Sequence, residues 1–330
     1  RRSRGVTPEG LGAELFSLIP PNSDAFLAIE SIPDESIERV GGDRLIMRAL
    51  EKRYPVEDDE EMLTEAIEKL KNELAPRKDE TTRAYIGRSR GLFNEAEARG
   101  IAVMVLTNGA GQGADASWQK YRNWGLDLAR AQVVSSRDSL EAAWPSLADG
   151  RVVAALGPAA RPLGVGGELT LPSDGDGLFD RATAFAFLGS AGWTEDHQHR
   201  LEQALGRGGC ELLVANPDVS APVEGGFTAE PGYWAARAAQ ATGILPRWYG
   251  KPHGPSFDLV LDRIAAHYGR LFDRRRVAMI GDSLHTDILG GGAAGMQTVL
   301  LTGYGLFAAG GADDMIDACG ITPDWVVAEF

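Results

Sequence analysis

The stretch that decides the fold reads Val277-Ala-Met-Ile-Gly281-Asp282-Ser283-Leu-His-Thr-Asp287. Its apolar run, 277–280, predicts a buried strand, and Gly281 allows the backbone to turn sharply where that strand ends. Asp282 is therefore delivered to the carboxyl end of a strand, where open α/β sheets bind their ligands. Asp287 follows five residues later, at the expected start of the next helix.

Two carboxylates at a strand end suit Mg²⁺, which accepts few protein ligands and keeps water and substrate phosphate as the others. We therefore predict that Asp282 is the principal protein ligand of one Mg²⁺. The alternative is that Asp282 is an ordinary turn residue and Asp287 a helix N-cap. The glycine-rich continuation 290–295, followed by another apolar run, weakens this alternative.

Further apolar runs alternate with helical patterns on both sides of this stretch. We expect strands at 24–31, 101–106, 133–134, 152–156, 184–188, 212–215 and 298–301. We expect helices at 58–74, 92–99, 117–124, 195–206 and 255–266. Strands that alternate with helices predict an α/β fold with a parallel sheet covered on both faces.

Two more segments carry groups that bind phosphate. Gly250-Lys251-Pro252 precedes an expected helix and lies 31 residues before Asp282, and a lysine there would neutralise phosphate charge. Thr107-Asn108-Gly109 ends an apolar strand, where a hydroxyl and backbone N–H groups can bind phosphate oxygens. Taken singly, the first is also typical of a surface turn, and the second is weak evidence.

In this order, the three segments resemble the second, third and fourth motifs of the haloacid dehalogenase (HAD) superfamily. Ala215-Asn216-Pro217-Asp218 and Val133-Val134-Ser135-Ser136-Arg137-Asp138 narrow the resemblance to the type IIA phosphatases. That group includes the p-nitrophenyl phosphatase, phosphoglycolate phosphatase and pyridoxal phosphate phosphatase branches. The resemblance covers roughly residues 92–305.

The resemblance implies a Rossmann-like parallel-sheet core with an inserted α/β cap domain. Residues 1–125 would form the first part of the core, including a divergent, charged helical segment at 33–91. Residues 126–245 would form the cap, and 246–330 the second part of the core.

The resemblance also implies a Mg²⁺-dependent hydrolase of small phosphate monoesters, such as sugar phosphates, that forms an aspartyl-phosphate. Carried over residue by residue, the catalytic positions are Thr107, Lys251 and Asp287, and the metal ligand is Asp282. The expected substrate-binding residues are Asn108, Gly109, Asn216 and Asp218.

The first HAD motif, an apolar strand followed by Asp-x-Asp, is not found. The suitable strand, 24–31, places Ile29 where the nucleophile belongs and Glu30 one step further on, with Asp34 as another nearby carboxylate. Two hypotheses remain open. The protein is a phosphatase with an unplaced nucleophile, or it is a HAD-like binding or regulatory module that holds Mg²⁺ and a phosphorylated ligand.

The amino-acid composition indicates which classes of binding partner are expected. A formal net charge of −14 disfavours nucleic acid and anionic membranes, because both are polyanionic. Two cysteines without a cluster fit a reducing, cytoplasmic compartment. The expected partner is a small phosphorylated molecule, and a homodimer is one oligomeric state that the sequence allows. A dinucleotide-binding oxidoreductase is disfavoured, because no helical pattern follows Gly164-Val-Gly166-Gly167.

Overall fold

The structure is a computed structural model that describes residues 25–28, 78–147, 150–157, 160–165, 168–223, 226–303, 305–307 and 310–328. The predicted helix 58–74, most of the charged segment 33–91, Glu30 and Asp34 lie outside the described residues. Among the described residues, no helix combines the length and the apolar character needed to cross a membrane.

The described residues form helices and strands in alternation. The strands are β1 Ala25–Ala28, β2 Ala102–Thr107, β3 Val133–Ser135, β4 Val153–Leu156, β5 Leu169–Thr170, β6 Ala184–Phe187, β7 Glu211–Val214, β8 Ser220–Val223, β9 Gly226–Ala229, β10 Arg247–Trp248, β11 Val277–Gly281, β12 Gln297–Leu301 and β13 Trp325–Val327. The helices are α1 Lys78–Ala98, α2 Ala114–Asn123, α3 Ser136–Leu147, α4 Leu171–Asp174, α5 Leu178–Arg181, α6 Glu195–Gly206, α7 Pro231–Thr242, α8 Gly254–Tyr268, α9 Leu289–Ala293 and α10 Ala312–Cys319. A π-helix, Leu284–Ile288, precedes α9.

Local chemistry explains where the longer helices begin and end. The hydroxyl of Thr194 accepts a hydrogen bond from the backbone N–H of His197 at 3.2 Å and so caps the N-terminus of α6. Helix α7 starts at Pro231, whose fixed φ suits the first helical position. Helices α7 and α8 both end at glycines with positive φ, Gly243 and Gly269, a conformation that most other residues avoid.

The chain divides into two compact units. The first comprises Arg1–Val103, Ala221–Thr228 and Asp273–Phe330, and the second comprises Met104–Ser220 and Ala229–Phe272. Both ends of the expected cap, 126 and 245, fall inside the second unit. The cap boundaries therefore stay a prediction.

In the first unit, parallel strands surround β11. Strand β11 pairs with β1 on one side and with β12 on the other, and β12 pairs in turn with β13. The register places Ala28 beside Ile280 and Gly281 beside Leu300. Apolar side chains after β11 pack into a small core with Leu300 and α10, formed by Leu284, Ile288, Leu300, Phe307, Ala312 and Met315.

The second unit contains a parallel pair, β2 with β3, and a five-stranded parallel sheet in the order β10-β7-β6-β4-β5. All paired strands of this sheet run in one direction, so their carboxyl ends share one edge. The predicted α/β class with parallel sheets is confirmed.

The five-stranded sheet has a different apolar layer on each face, because successive side chains in a strand point to opposite sides. One layer is bulky and includes Leu156, Phe185, Phe187, Leu212 and Val214, with α6 and α7 packed against it. The other layer uses smaller residues, including Ala155, Ala184, Ala186 and Ala215, with Leu140 of α3. Continuous apolar strands are therefore required, as the sequence pattern indicated.

A buried carboxylate joins β3 and α3 to α8 within the second unit. Asp138 accepts hydrogen bonds from the Ser135 backbone N–H at 2.8 Å and from Arg263 Nη2 at 2.9 Å. Arg130 Nη2 lies 3.2 Å from the same carboxylate. Burial by itself raises the pKa of Asp138. The hydrogen bonds from Ser135 and the charges of Arg263 and Arg130 outweigh that effect and lower the pKa below its usual value.

We expect Asp138→Asn to destabilise the protein by about 2 kcal/mol, because it leaves two half-buried guanidinium groups without their shared counter-charge. Asp115→Asn is a matched control, since Asp115 also contacts Arg130 but is 95% exposed. The control should change the thermal midpoint by less than about 1 °C. Equal effects of the two substitutions would contradict this role for Asp138.

The contribution of Asp138 should depend on pH. A carboxyl group with a lowered folded-state pKa stabilises the protein above its unfolded pKa, about 4, and this contribution disappears as the pH falls through the folded value. The stability gap between the native protein and Asp138→Asn should therefore close on acidification. Chemical denaturation of both proteins between pH 7 and pH 3 measures it.

Candidate functional site

The end of β11 holds the two predicted carboxylates in buried positions. Asp282 directly follows Gly281 and is 5% exposed, and Asp287 lies in the π-helix and is 1% exposed. The backbone N–H of Ser283 donates to Asp287 Oδ2 at 3.1 Å. The turn after β11 therefore fixes the Asp287 side chain against the backbone beside Asp282.

Gly281 and Gly305 lie directly against these carboxylates. We call these two residues the glycine walls. A Cβ atom built on Gly281 would overlap Asp287 Oδ2, and one built on Gly305 would overlap Asp282 Oδ2. Gly305 also has a φ of +62°, which side-chain-bearing residues rarely adopt. Each buried carboxylate thus lies directly against backbone that carries no side chain.

The donor set fits a hard cation. Carboxylate oxygens at a strand end are the ligands that Mg²⁺ prefers, and this ion completes its octahedron with water and substrate oxygens. Among the residues that the structure describes, no group of three or more His, Cys, Asp and Glu side chains gathers as a metal cluster. One or two carboxylate ligands are enough for Mg²⁺, which takes its remaining ligands from water and substrate.

In the second unit, the end of β2 presents Thr107, Asn108 and Gly109. Strand β2 is buried along its whole length, and Thr107 pairs with Ser135 of β3. The backbone N–H of Gly109 donates to Thr107 Oγ1 at 3.1 Å. Ser136 Oγ donates to the carbonyl of Asn108 at 2.9 Å, so the first residue of α3 anchors this loop.

Strands β7 and β10 deliver the other predicted residues to a common edge. Trp248 pairs with Val214, so the segments that follow these parallel strands start side by side. The segment after β7 carries Asn216 and Asp218, and the segment after β10 carries Lys251. The Asn216 side chain accepts a hydrogen bond from the backbone N–H of Asp218 at 2.9 Å and shapes its own loop.

The side-chain amide of Asn108 connects all three loops. Its Nδ2 donates to Asp218 Oδ1 at 2.8 Å and to the carbonyl of Lys251 at 3.0 Å. Its Oδ1 accepts from the backbone N–H of Lys251 at 2.7 Å. Gly250 permits this approach, because a Cβ atom there would overlap both Asn108 Oδ1 and Pro217 Cδ.

Lys251 is fully buried, with 0% of its surface exposed. Burying an ammonium group is costly unless anionic or polar groups compensate for the lost hydration. The rings of Trp248 and His253, on either side of the Lys251 turn, stack with centroids 5.3 Å apart. Burial lowers the pKa of His253, which favours its neutral form in this stack.

The structure thus gathers the predicted residues into two sets. Thr107, Asn108, Gly109, Asn216, Asp218 and Lys251 belong to the hydrogen-bonded loops of the second unit, and Asp282 and Asp287 belong to the first unit. Their roles toward a substrate stay predictions.

Sequence reasoning missed Ser136 as an anchor, although the Ser135-Ser136 pair was part of the resemblance. It also missed Gly250 and Gly305 as spacers. Glycine in a Gly-Lys-Pro turn offers a weak signal for Gly250. The sequence gives none for Gly305.

The C-terminal region matches a known family. Residues 248–329 match the family model described as HAD-hydrolase-like. The dihydroxyacetone phosphatase of Corynebacterium glutamicum is 36% identical over 94 residues, which cover 28% of this chain and 32% of that protein. The acid sugar phosphatase of Staphylococcus aureus (strain MRSA252) is 28% identical over 210 residues, 61% of this chain and 73% of that protein. The chain therefore matches only about a third of the first relative's length.

Solved structures share the fold. The p-nitrophenyl phosphatase from Archaeoglobus fulgidus superimposes with a TM-score of 0.61 and 18% identity, over 94% of this chain and 97% of that one. At this identity the likeness shows the fold alone. Together with the family model, it confirms the resemblance to the HAD superfamily that the motifs indicated.

We expect Gly281→Ala to lower the thermal midpoint by about 4–8 °C, because the added methyl group must displace the buried Asp287 carboxylate, at a cost of about 2 kcal/mol. Gly292→Ala is the matched control, since a Cβ atom at Gly292 has nothing within 4 Å. In a helix this control should be neutral or slightly stabilising. If Gly281→Ala had the same thermal midpoint as the control, the tight contact between Gly281 and Asp287 would be ruled out.

Proposed function

We propose that this HAD-like protein hydrolyses a small phosphate monoester. One observation carries the proposal: the loop that presents Thr107 is hydrogen-bonded to the loop that presents the buried Lys251, through the Asn108 amide. A hydroxyl, backbone N–H groups and a buried ammonium on joined loops form a site suited to an anion of high charge density.

In this proposal the loops hold the phosphoryl group. The Thr107 hydroxyl and the Asn108-Gly109 backbone bind phosphoryl oxygens, and Lys251 neutralises charge that grows in the transition state. Because Lys251 is already fixed and desolvated, it needs no reorganisation at the moment of reaction. Asn216 and Asp218 line the same loops and complete the substrate site.

Asp282 would hold Mg²⁺, with Asp287 supporting it from the π-helix turn. When bound, the ion would supply charge neutralisation at the phosphoryl oxygens. The glycine walls support this assignment, since a side chain at either position would overlap a carboxylate oxygen of Asp282 or Asp287.

The family resemblance suggests a covalent route. A carboxylate oxygen would attack phosphorus, forming an O–P bond as the bond to the leaving oxygen breaks and an acid protonates that oxygen. Water would then hydrolyse the acyl phosphate, releasing phosphate and restoring the carboxylate. Strand β1 runs beside β11, and Ala28 pairs with Ile280, two residues before Asp282. This register supports testing Glu30 and Asp34 first, although both lie outside the described residues.

Sugar phosphates are the proposed substrate class. Curated relatives named acid sugar phosphatase and dihydroxyacetone phosphatase support a small polyhydroxylated leaving group. The inserted cap proposed at 126–245 would exclude larger esters.

A binding module is the second candidate. The residues that follow β1 read Ile29-Glu30-Ser31, without the Asp-x-Asp that the mechanism calls for. Holding phosphate and attacking it are separable tasks, so a protein could keep Thr107, Lys251 and Asp282 and bind a phosphorylated ligand without turnover.

The two candidates differ in turnover. With Mg²⁺ present, we expect the protein to hydrolyse p-nitrophenyl phosphate and dihydroxyacetone phosphate, and Lys251→Ala to lower kcat/KM at least about 100-fold, as loss of one preorganised electrostatic group does. Release of inorganic phosphate is the measurement. Absence of turnover, together with Mg²⁺-dependent binding of phosphate, would favour the binding module. Absence of both would refute both candidates.

The metal assignment has its own test. Calorimetry should detect one Mg²⁺ per chain in the native protein and none in Asp282→Asn, because the amide lacks the negative charge that offsets the ion's dehydration. Asp324→Asn is a control carboxylate in the same unit, since Asp324 accepts hydrogen bonds from Thr298 at 2.8 and 3.0 Å. Unchanged affinity in Asp282→Asn would show that Asp282 is not the ligand.

A further inference from the structure

The Asn108 side chain uses its hydrogen-bonding groups within the protein. A primary amide has two N–H donors and one carbonyl acceptor. Both donor directions are taken, by Asp218 Oδ1 at 2.8 Å and the Lys251 carbonyl at 3.0 Å. The amide oxygen accepts from the Lys251 backbone N–H at 2.7 Å. Asn108 therefore forms hydrogen bonds with both the C=O and the N–H of Lys251, as the backbone of a neighbouring strand would.

This pairing works in only one orientation of the amide. If the amide were rotated by half a turn, Nδ2 would face the Lys251 N–H and Oδ1 would face its carbonyl, and both contacts would become repulsive. Asp218 selects the correct orientation, because an ionised carboxylate can only accept a hydrogen bond and so requires the NH₂ group on its side.

Asp218 is itself held in place. Its backbone N–H donates to Asn216 Oδ1 at 2.9 Å, and its carbonyl accepts from the Gly232 N–H in the first turn of α7 at 2.9 Å. A Cβ atom on Gly232 would overlap the Pro217 carbonyl, so this loop packs directly against the backbone of α7. The orientation of Asn108 is thereby linked, through Asp218, to the first turn of α7.

We infer that Asn108 and Asp218 are positioning residues that act through Lys251. Asp218 orients the Asn108 amide, the amide fixes the backbone of Lys251, and that backbone fixes the buried ammonium. This inference rests on the proposed function and changes one of its roles: Asp218 orients the Asn108 amide instead of completing the substrate site, while the Asn108 backbone still faces the phosphoryl group.

A reciprocal exchange tests the pair. Asn108→Asp sets two carboxylates against each other and should expel the Lys251 loop. Adding Asp218→Asn restores one of the two lost contacts, since the new amide can donate to the new carboxylate, whereas the Lys251 carbonyl still lacks its donor. Asp218→Asn alone should lower kcat/KM less than Asn108→Asp, because an amide oxygen can still accept from Asn108 Nδ2, although it no longer excludes the rotated amide.

The first readout does not require activity. Lysine acetylation at neutral pH, followed by peptide mass spectrometry, reports how far Lys251 is shielded, with exposed Lys120 as the internal standard. Relative to Lys120, Lys251 should react at least about 10-fold faster in Asn108→Asp than in the native protein. Part of this increase should disappear in the double variant, because the contact at residue 218 is restored and the contact to the Lys251 carbonyl is not. Equal protection of Lys251 in all folded variants would overturn the inference.

The second readout is kinetic. Asn108→Asp should lose at least about 100-fold in kcat/KM, mostly in kcat, and the double variant should recover at least about 10-fold. No recovery of either Lys251 protection or kcat/KM in a folded double variant would contradict the positioning role. If the native protein shows no turnover, the proposed phosphatase function fails, and the labelling experiment still decides this inference. Thermal melting identifies unfolded variants, and Asp218→Ala then replaces Asn108→Asp as the disruptive change.

Discussion

The pairing between the Asn108 amide and the Lys251 backbone is the contact on which the loops of the second unit depend. A loop that carries a buried lysine must satisfy its own N–H and C=O groups away from water, or it loses about 1–3 kcal/mol for each orphaned group. One amide side chain meets both needs and links the ends of β2 and β10. Gly250 and Gly232 follow from the same constraint, since the loops approach closer than a side chain would allow.

The carboxylates after β11 obey a related rule. Asp282 and Asp287 are buried at a strand end, and their positions are defined largely by where side chains are missing, at Gly305 and Gly281. Glycine at both positions lets the backbone lie directly against these carboxylates, which stay out of bulk solvent.

Much of this arrangement follows from local patterns in the sequence. Apolar runs ending in Thr107 and Gly281 located β2 and β11, because buried parallel strands require continuous hydrophobic residues. Helix bounds at α6 agreed with the expected 195–206 because its cap and periodicity are both local. The contact between Asn108 and Asp218 could not be predicted, since the two residues are 110 positions apart and each has many alternative partners. Asp138 likewise looked like part of a motif, whereas the structure shows it joined to Arg263, 125 positions away.

The sequence separation between Asn108 and Lys251 also determines when, during synthesis of the chain, the contact between them can form. These residues are 143 positions apart, so the contact between their loops can form only after the intervening chain has been made. On a ribosome, the Thr107 loop would emerge on the order of 10 s before its partner lysine, at ordinary rates of synthesis. Over that interval the Asn108 amide would hydrogen-bond to water instead of to Lys251. The proposed anion site would therefore form only after nearly the entire second unit has left the exit tunnel.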